Sequence, residues 1–218
     1  MKKLSILTCI LIPLLFLSCN NDDGSTTTYK VIFSLNWSQQ NFPIDYPANA
    51  HFSKLIGWSH KSTGDFFKIG TMASAGIENM AETGGTSPLD NELENFINKG
   101  DGFKSVIGEG LVSGTGNIKI EIDVNEEYPS ITLATMIAPS PDWYVAVVNI
   151  NLLENGEFVA AKTVEGHVYD SGTDDGITFT SANADSNPKV PITLFVDTPL
   201  GNGTIITPPI ATINFQKK

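Results

Sequence analysis

Between residues 118 and 124 the chain alternates without a fault. Ile118, Ile120, Ile122 and Val124 interleave with Lys119, Glu121 and Asp123. Successive side chains of an extended strand point to opposite faces, so this segment buries one face and wets the other. A weaker alternation runs through Val31, Phe33, Leu35 and Trp37. Ile131 to Ile137 and Trp143 to Leu153 are apolar on both faces, as central strands are. Shorter strand-like runs follow at Phe158 to Thr163, Val164 to Val168, Ile177 to Thr180, Val190 to Val196 and Ile210 to Phe215. Turn signals separate them, and Glu154-Asn155-Gly156 reads as a hairpin loop. Many short strands with turns about every ten residues predict a mostly β chain, an antiparallel β-sandwich.

A small helical insertion interrupts this pattern at about residues 74–99. One helix is predicted from about Gly76 to Glu82, with Ser74 as its cap and Gly84 ending it. A second is predicted after Ser87-Pro88, with Ser87 as cap and Pro88 in the first turn. Leu89, Leu93, Phe96 and Ile97 line its apolar face, and Lys99-Gly100 closes it. Both are expected to pack on one edge or end of the sandwich. The glycine-rich stretch Gly100 to Gly116 reads as a long connection.

The first residues read as a targeting segment. Lys2 and Lys3 precede an apolar run from Leu4 to Leu17, about 14 residues, short of the span of about 20 that crosses a bilayer. The run ends at Leu15-Phe16-Leu17-Ser18-Cys19, which resembles the lipobox of bacterial lipoproteins. That resemblance implies a signal peptide at 1–18, lipidation of Cys19 and a flexible tether at 19–28. Asn20-Asn21-Asp22-Asp23 resembles a surface-export signal. The expected location is the outer membrane, exposed at the cell surface, with the periplasmic face as the other possibility. The expected folded domain is 29–216. Cys9 and Cys19 are the only cysteines, so no disulfide staples that domain.

The formal net charge is −11. Such a chain repels nucleic acid and anionic headgroups and attracts cations and basic partners. Catalytic patterns are missing. There is no GxSxG elbow and no phosphate-cradling loop. Gly108-Glu109-Gly110 begins like a dinucleotide loop, but Ser113 stands where the last glycine belongs. The chain is not expected to be an enzyme.

Two segments carry the chemistry: Ala138-Pro139-Ser140-Pro141-Asp142-Trp143, and Tyr169-Asp170-Ser171-Gly172-Thr173-Asp174-Asp175-Gly176. Carboxylates crowd a stiff loop and a glycine-rich one. The chain has no arginine, and neither segment holds a lysine. A hard cation is the simplest missing partner, because Ca²⁺ takes six to eight oxygen ligands in irregular geometry. Absence of His and Cys from both segments disfavours transition metals. A second grouping, His51 and His60 with Glu78 and Glu82, has the donor types for zinc. Its spacing is not HExxH, and it reads as buried histidines and a helix carboxylate that fix the loop from Pro47 to Ser59. His167 falls on a strand with no evident partner.

APSPDW and YDSGTDDG also resemble the signature stretches of the spondin domain, known from F-spondin-type matrix proteins and bacterial surface proteins. Pro47-Ala48-Asn49-Ala50-His51-Phe52-Ser53-Lys54-Leu55-Ile56-Gly57 with Ser59-His60 resembles a third block. Met72-Ala73-Ser74-Ala75-Gly76-Ile77 with Ala81-Glu82-Thr83-Gly84 resembles a fourth. The resemblance implies Ca²⁺ as cofactor, with Asp142, Asp170 and Asp174 as its ligands. Pro139 and Pro141 restrict the approach to Asp142, and Gly172 and Gly176 let the other loop coil. Asp175 reads as a solvated neighbour, with a place as an extra ligand the other possibility. The resemblance further implies a lipid-anchored surface module for adhesion or ligand binding, with a protein or glycan partner. A structural part in an envelope assembly, or a hydrolase, are the other readings.

Overall fold

The computed structural model describes residues 25–218. The leader at 1–18, Cys19 and Asp22-Asp23 lie outside the described residues. No helix among the described residues is long and apolar enough to cross a membrane.

In chain order the elements are β1 (Thr27–Asn36), β2 (His51–Phe52), β3 (Ile56–His60), α1 (Ala75–Thr83), α2 (Leu89–Asn98), β4 (Gly102–Ile107), β5 (Thr115–Val124), β6 (Ser130–Ala138), β7 (Trp143–Asn151), β8 (Leu153–Glu154), β9 (Glu157–Phe158), β10 (Ala161–Asp170), β11 (Thr193–Leu194) and β12 (Ala211–Lys217). The main sheet runs β4-β3-β6-β7-β10-β12-β1-β5, with β2 added to β6 and β11 to β10. Every pairing is antiparallel. The two outermost strands, β4 and β5, come alongside each other. The sheet therefore curls almost to closure, which gives the expected antiparallel sandwich a barrel-like form.

The alternation at 118–124 does what its pattern requires. Ile118, Ile120, Ile122 and Val124 are buried, whereas Lys119 and Glu121 face solvent. Charged residues on this outermost strand discourage pairing with another chain. The central strands obey a different rule. All of β6 is buried. Ile131, Leu133 and Ile137 enter the core inside the curled sheet, while Ala134, Met136 and Ala138 join a second cluster on its outer face. On β7, Trp143, Val145 and Val147 point inward, and Tyr144 and Ala146 point outward. Gly57 sits where any Cβ would fall 2.1 Å from the Thr132 carbonyl oxygen, so β3 can lie against β6 only with glycine there.

The outer cluster is what the helices cover. Ile77, Met80 and Ala81 of α1, with Leu89 and Leu93 of α2, pack on Ile56, Met136 and Tyr144. The helices lie on the outer face of the sheet, where α2 sits against the outermost strand β4, as the expected edge position requires, and α1 reaches inward over β6; the small residues Ala134, Ala138 and Ala146 leave room there. Ser74 Oγ accepts from the Ile77 amide at 3.2 Å, and Gly84 ends α1 at φ 71°. α2 departs from expectation. Ser87 does not cap it, and Pro88 holds the cap position without a side-chain bond. Glu92 instead reaches across to α1, accepting from Ser74 Oγ at 2.6 Å and from the Gly76 amide at 2.8 Å.

Other boundaries also moved. Thr27 and Thr28, assigned to the tether, pair with Val124 and Asp123. Lys217, past the expected domain end, pairs with Tyr29. β4 lies inside the stretch read as connection; it is short and half-wet, without a clear period. The runs from 158 to 168 merge into one strand, β10, broken only from Phe158. Ile177 to Thr180 is a turn, not a strand. Phe179 is buried there as a single plug, 4.9 Å from the Trp37 ring and 5.5 Å from that of Trp143. A buried aromatic of this size stabilises by roughly 2–3 kcal/mol without any strand around it. Only Thr193–Leu194 of the 190–196 run is paired. Asn155 and Gly156 both take positive φ, 53° and 81°, as a two-residue hairpin turn requires.

Candidate metal centre

The two acidic segments meet at one end of the sheet. Asp142 stands just before β7, and Asp170 ends β10, paired with Trp143. Ser140 shapes the first loop: its Oγ accepts from the Trp143 amide at 3.1 Å. The second loop wraps directly over Asp142. Its Oδ2 accepts from the Thr173 amide at 2.8 Å, the Asp174 amide at 3.2 Å and the Ser171 hydroxyl at 3.0 Å. The Thr173 hydroxyl lies 2.6 Å from Ser171 Oγ. Gly172 allows this wrap, at φ 73° with its Cα packed against the Val190 carbonyl. Gly176 serves otherwise: a Cβ there would meet Pro141 Cγ at 2.7 Å, so the glycine lets the two loops touch.

The remaining aspartates organise their own backbone. Asp170 Oδ1 accepts from the Gly172 amide at 2.8 Å, and Oδ2 from Trp143 Nε1 at 3.2 Å. Asp174 Oδ1 accepts from the Gly176 amide at 2.7 Å, and Oδ2 from the Ala184 amide at 2.9 Å. Asp174 is also bridged to Asp185. Asp175 is exposed and accepts from Ser186 Oγ.

Asp142 is fully buried, and its Oδ1 has no hydrogen-bond partner. A buried carboxylate oxygen without a partner is costly, so such an atom calls for a missing ligand. The charges around it sharpen the point. Burial raises the Asp142 carboxyl above its usual range; the bonds from Thr173, Asp174 and Ser171 oppose the rise, and the Asp174 charge adds to it. Asp170 is pushed up to about 6, first by burial and then by the Asp142 charge. Glu82 of α1 belongs to the same group: burial raises it, and Glu78, Asp185 and Asp142 add to the rise. No lysine enters the balance of any of the three. Among the described residues no three acidic, histidine or cysteine side chains are already gathered into a finished coordination set. The side chains at this end are oxygen donors, and Asp142 keeps one oxygen without a partner; oxygen donors are the kind of ligand that Ca²⁺ takes.

The second grouping separates. His60 is fully buried, with Nε2 2.8 Å from Thr132 Oγ1 and Nδ1 2.7 Å from the Lys61 carbonyl oxygen. Its ring stacks on Trp58 at 5.0 Å. His51 Nδ1 lies 2.7 Å from the Asn49 carbonyl oxygen. Glu78 pairs with Lys189, and Glu82 has gone to the aspartates. The zinc donors thus do not converge; His60 is buried and bonds the backbone as expected, whereas His51 is only partly buried and Glu78 turns to Lys189 rather than to the loop from Pro47 to Ser59. His167 is exposed on β10. Glu82, Ser171 and Thr173 are parts of the acidic end that the two-loop reading did not assign to it; for Glu82 the only signal was its position near the end of a capped helix.

Fold and site together define an antiparallel β domain with an acid-rich loop end organised around one buried aspartate. The Spondin_N family model matches residues 27–199, and the chain belongs to that family. It is 31% identical over 169 residues to Spondin-2 of Rattus norvegicus, covering 76% of this chain and 51% of that protein. It is similarly 31% identical over 172 residues to Spondin-2 of Homo sapiens. With Spondin-1 of Homo sapiens it shares 30% identity over 173 residues, 75% of this chain and 21% of that protein. The matched region thus spans about half the length of the Spondin-2 relatives and about a fifth of Spondin-1.

Proposed function

We propose that this chain is a calcium-binding surface module that recognises a protein or glycan ligand without catalysis. Asp142, Asp170 and Asp174 would hold the ion, with Glu82 adding negative charge beside them. Calcium would neutralise the clustered carboxylates and pin the loops of 139–142 and 170–176 to each other. The observation that carries this reading is the buried, unpartnered Oδ1 of Asp142. Membership of the Spondin_N family supports a binding role. The net charge of −11 argues against nucleic acid as the ligand. A lipid on Cys19 would tether the module to the outer membrane, with its acid-rich end free to bind.

Thermal unfolding in excess Ca²⁺ and in chelator tests the reading. At free calcium near 100 times Kd, linkage adds about 2.7 kcal/mol. In a domain of this size that corresponds to a rise of roughly 5–10 °C. Equal midpoints in the two conditions would refute the calcium centre.

A further inference from the structure

β7 and β10 are paired from Trp143 with Asp170 to Ala146 with His167, and the ladder then stops. Beyond that point Val147 to Asn151 keep β6 as their neighbour, and Ala161 to Gly166 keep β12. The chain closes again just past both strands, where the Val159 amide donates to the Leu152 carbonyl oxygen at 3.0 Å. The two strands therefore bow apart between two closed points. A bulge on β7 sets the bow. Val148 and Asn149 together oppose Thr132, because Val147 pairs with Leu133 and Ile150 with Ile131. Asn149 takes φ 53°. Its amide donates to Thr132 Oγ1 at 2.9 Å, and its Nδ2 to the Ser62 carbonyl oxygen at 2.6 Å. An extra residue of this kind bends its strand away from the partner.

The result is an opening of about 490 Å³ in the sheet. Val148, Ile150 and Val164 give it apolar walls, and Glu165, His167 and Tyr169 line it from β10. Amides and carbonyls alternate sides along a strand, so both facing edges present backbone groups that have no ladder partner there. Glu165 and His167 are exposed. No ion pair among the described residues includes Glu165. One end of the opening shows which chemistry suits it. Lys162 Nζ reaches across from β10 and donates to the Asn151 carbonyl oxygen at 2.9 Å and to Glu154 Oε1 at 2.9 Å. A lysine thus serves a free carbonyl of β7, beside a glutamate. Glu165 stands farther along the same opening, and the net charge of −11 favours a cationic partner.

We propose that the opening between β7 and β10 receives a lysine side chain of a partner polypeptide. Its four-carbon stem lies against Val148, Ile150 and Val164, and its ammonium pairs with Glu165, the way long cationic side chains bury their stems and keep their heads polar. The inference gives a chemistry to the protein ligand proposed above and rests on that part of the reading, not on calcium. Amide NMR spectra of the chain, titrated with a trilysine peptide capped at both ends, test it in calcium and in chelator. The expected shifts fall on residues 147–151 and 161–167, with the same Kd in both conditions. Glu165→Gln, an exposed change, should raise that Kd about three- to fivefold. The same peptide with its lysines acetylated should not bind. Four outcomes would overturn the inference: no shifts, shifts lying instead at 139–142 and 170–176, an unchanged Kd in Glu165→Gln, or equal binding of the acetylated peptide. Loss of the calcium effect on unfolding would leave the result in chelator standing, so the two readings fail separately.

Discussion

His60 and Asp142 are both fully buried polar residues, and they stand at opposite ends of β6. His60 pairs with Ser130 where β6 begins, and Asp142 follows the loop where β6 ends. Both ring nitrogens of His60 have partners, although the indole N–H of Trp58 stacked on it has none. The Asn149 amide donates to Thr132 Oγ1 at 2.9 Å. The Thr132 hydroxyl then serves His60 Nε2, and Nδ1–H donates to the Lys61 carbonyl. The carbonyl can only accept, which assigns the proton to Nδ1. Burial lowers the His60 pKa to about 4, so the ring stays neutral and the chain of bonds is complete. Around Asp142 four donors crowd one oxygen and none reaches the other. The two sites differ in this: the His60 ring is bonded at both nitrogens, whereas the Asp142 carboxylate keeps one oxygen open, the oxygen on which the proposed calcium centre rests.

The largest effect expected from this contrast is at the closed end. His60→Ala leaves a cavity, the Lys61 carbonyl without its donor and the Thr132 O–H without its acceptor, and should cost about 3–5 kcal/mol. The loss should be the same in calcium and in chelator when read by denaturant unfolding. A calcium-dependent loss would mean that the two ends are coupled.

Next is the open end. Asp142→Asn should remove the calcium-dependent gain of about 2.7 kcal/mol at saturating ion. In chelator it should stay close to the wild type, since the amide oxygen can still accept from Thr173 and Asp174. Retention of the calcium gain in this variant would remove Asp142 from the ligand set.

The smallest effect is the pH response in chelator, because the two ends oppose each other. The folded-state pKa of Asp170 is raised from 3.8 to about 6. Its contribution is fully present below 3.8 and is lost as pH rises through about 6. That of His60 is lowered from 6.5 to about 4. Its contribution is full above 6.5 and is lost as pH falls towards 4. Burial also raises Asp142 and Glu82, which act in the same sense as Asp170, so His60 offsets only part of the carboxyl response. Asp170→Asn should shift the slope of midpoint against pH in the positive direction across the window. An unchanged slope in that variant would show that Asp170 titrates at its ordinary value in the folded chain.

Much of the fold was legible because its causes are local. The cap at Ser74, the stop at Gly84 and the Asn155-Gly156 turn are fixed by a few neighbouring residues. So is the two-residue period of β5. What failed was decided elsewhere in the chain. β4 has no clear period because it is held on one side by β3 and stays half-wet. Phe179 looked like part of a strand because its segment is apolar, yet its partners Trp37 and Trp143 lie far away in sequence. Ser87 resembled a cap, but Glu92 took up the bonding at that junction by reaching to α1. The acidic site was legible as a charge problem, two loops of carboxylates with no cation among them. The full set of carboxylates at that end was not, because Glu82 arrives from a helix about 60 residues before Asp142.

The sequence by itself determined that the chain is mostly antiparallel β, where its helices fall, and that its negative charge concentrates on two loops. Side-chain periodicity and backbone preferences act over a few residues, so composition and spacing express them directly. Only the tertiary structure decided which carboxylate oxygen is buried without a partner. That fact depends on what β6, β7, β10 and α1 bring together, and hydrogen-bond satisfaction is a property of the packed assembly.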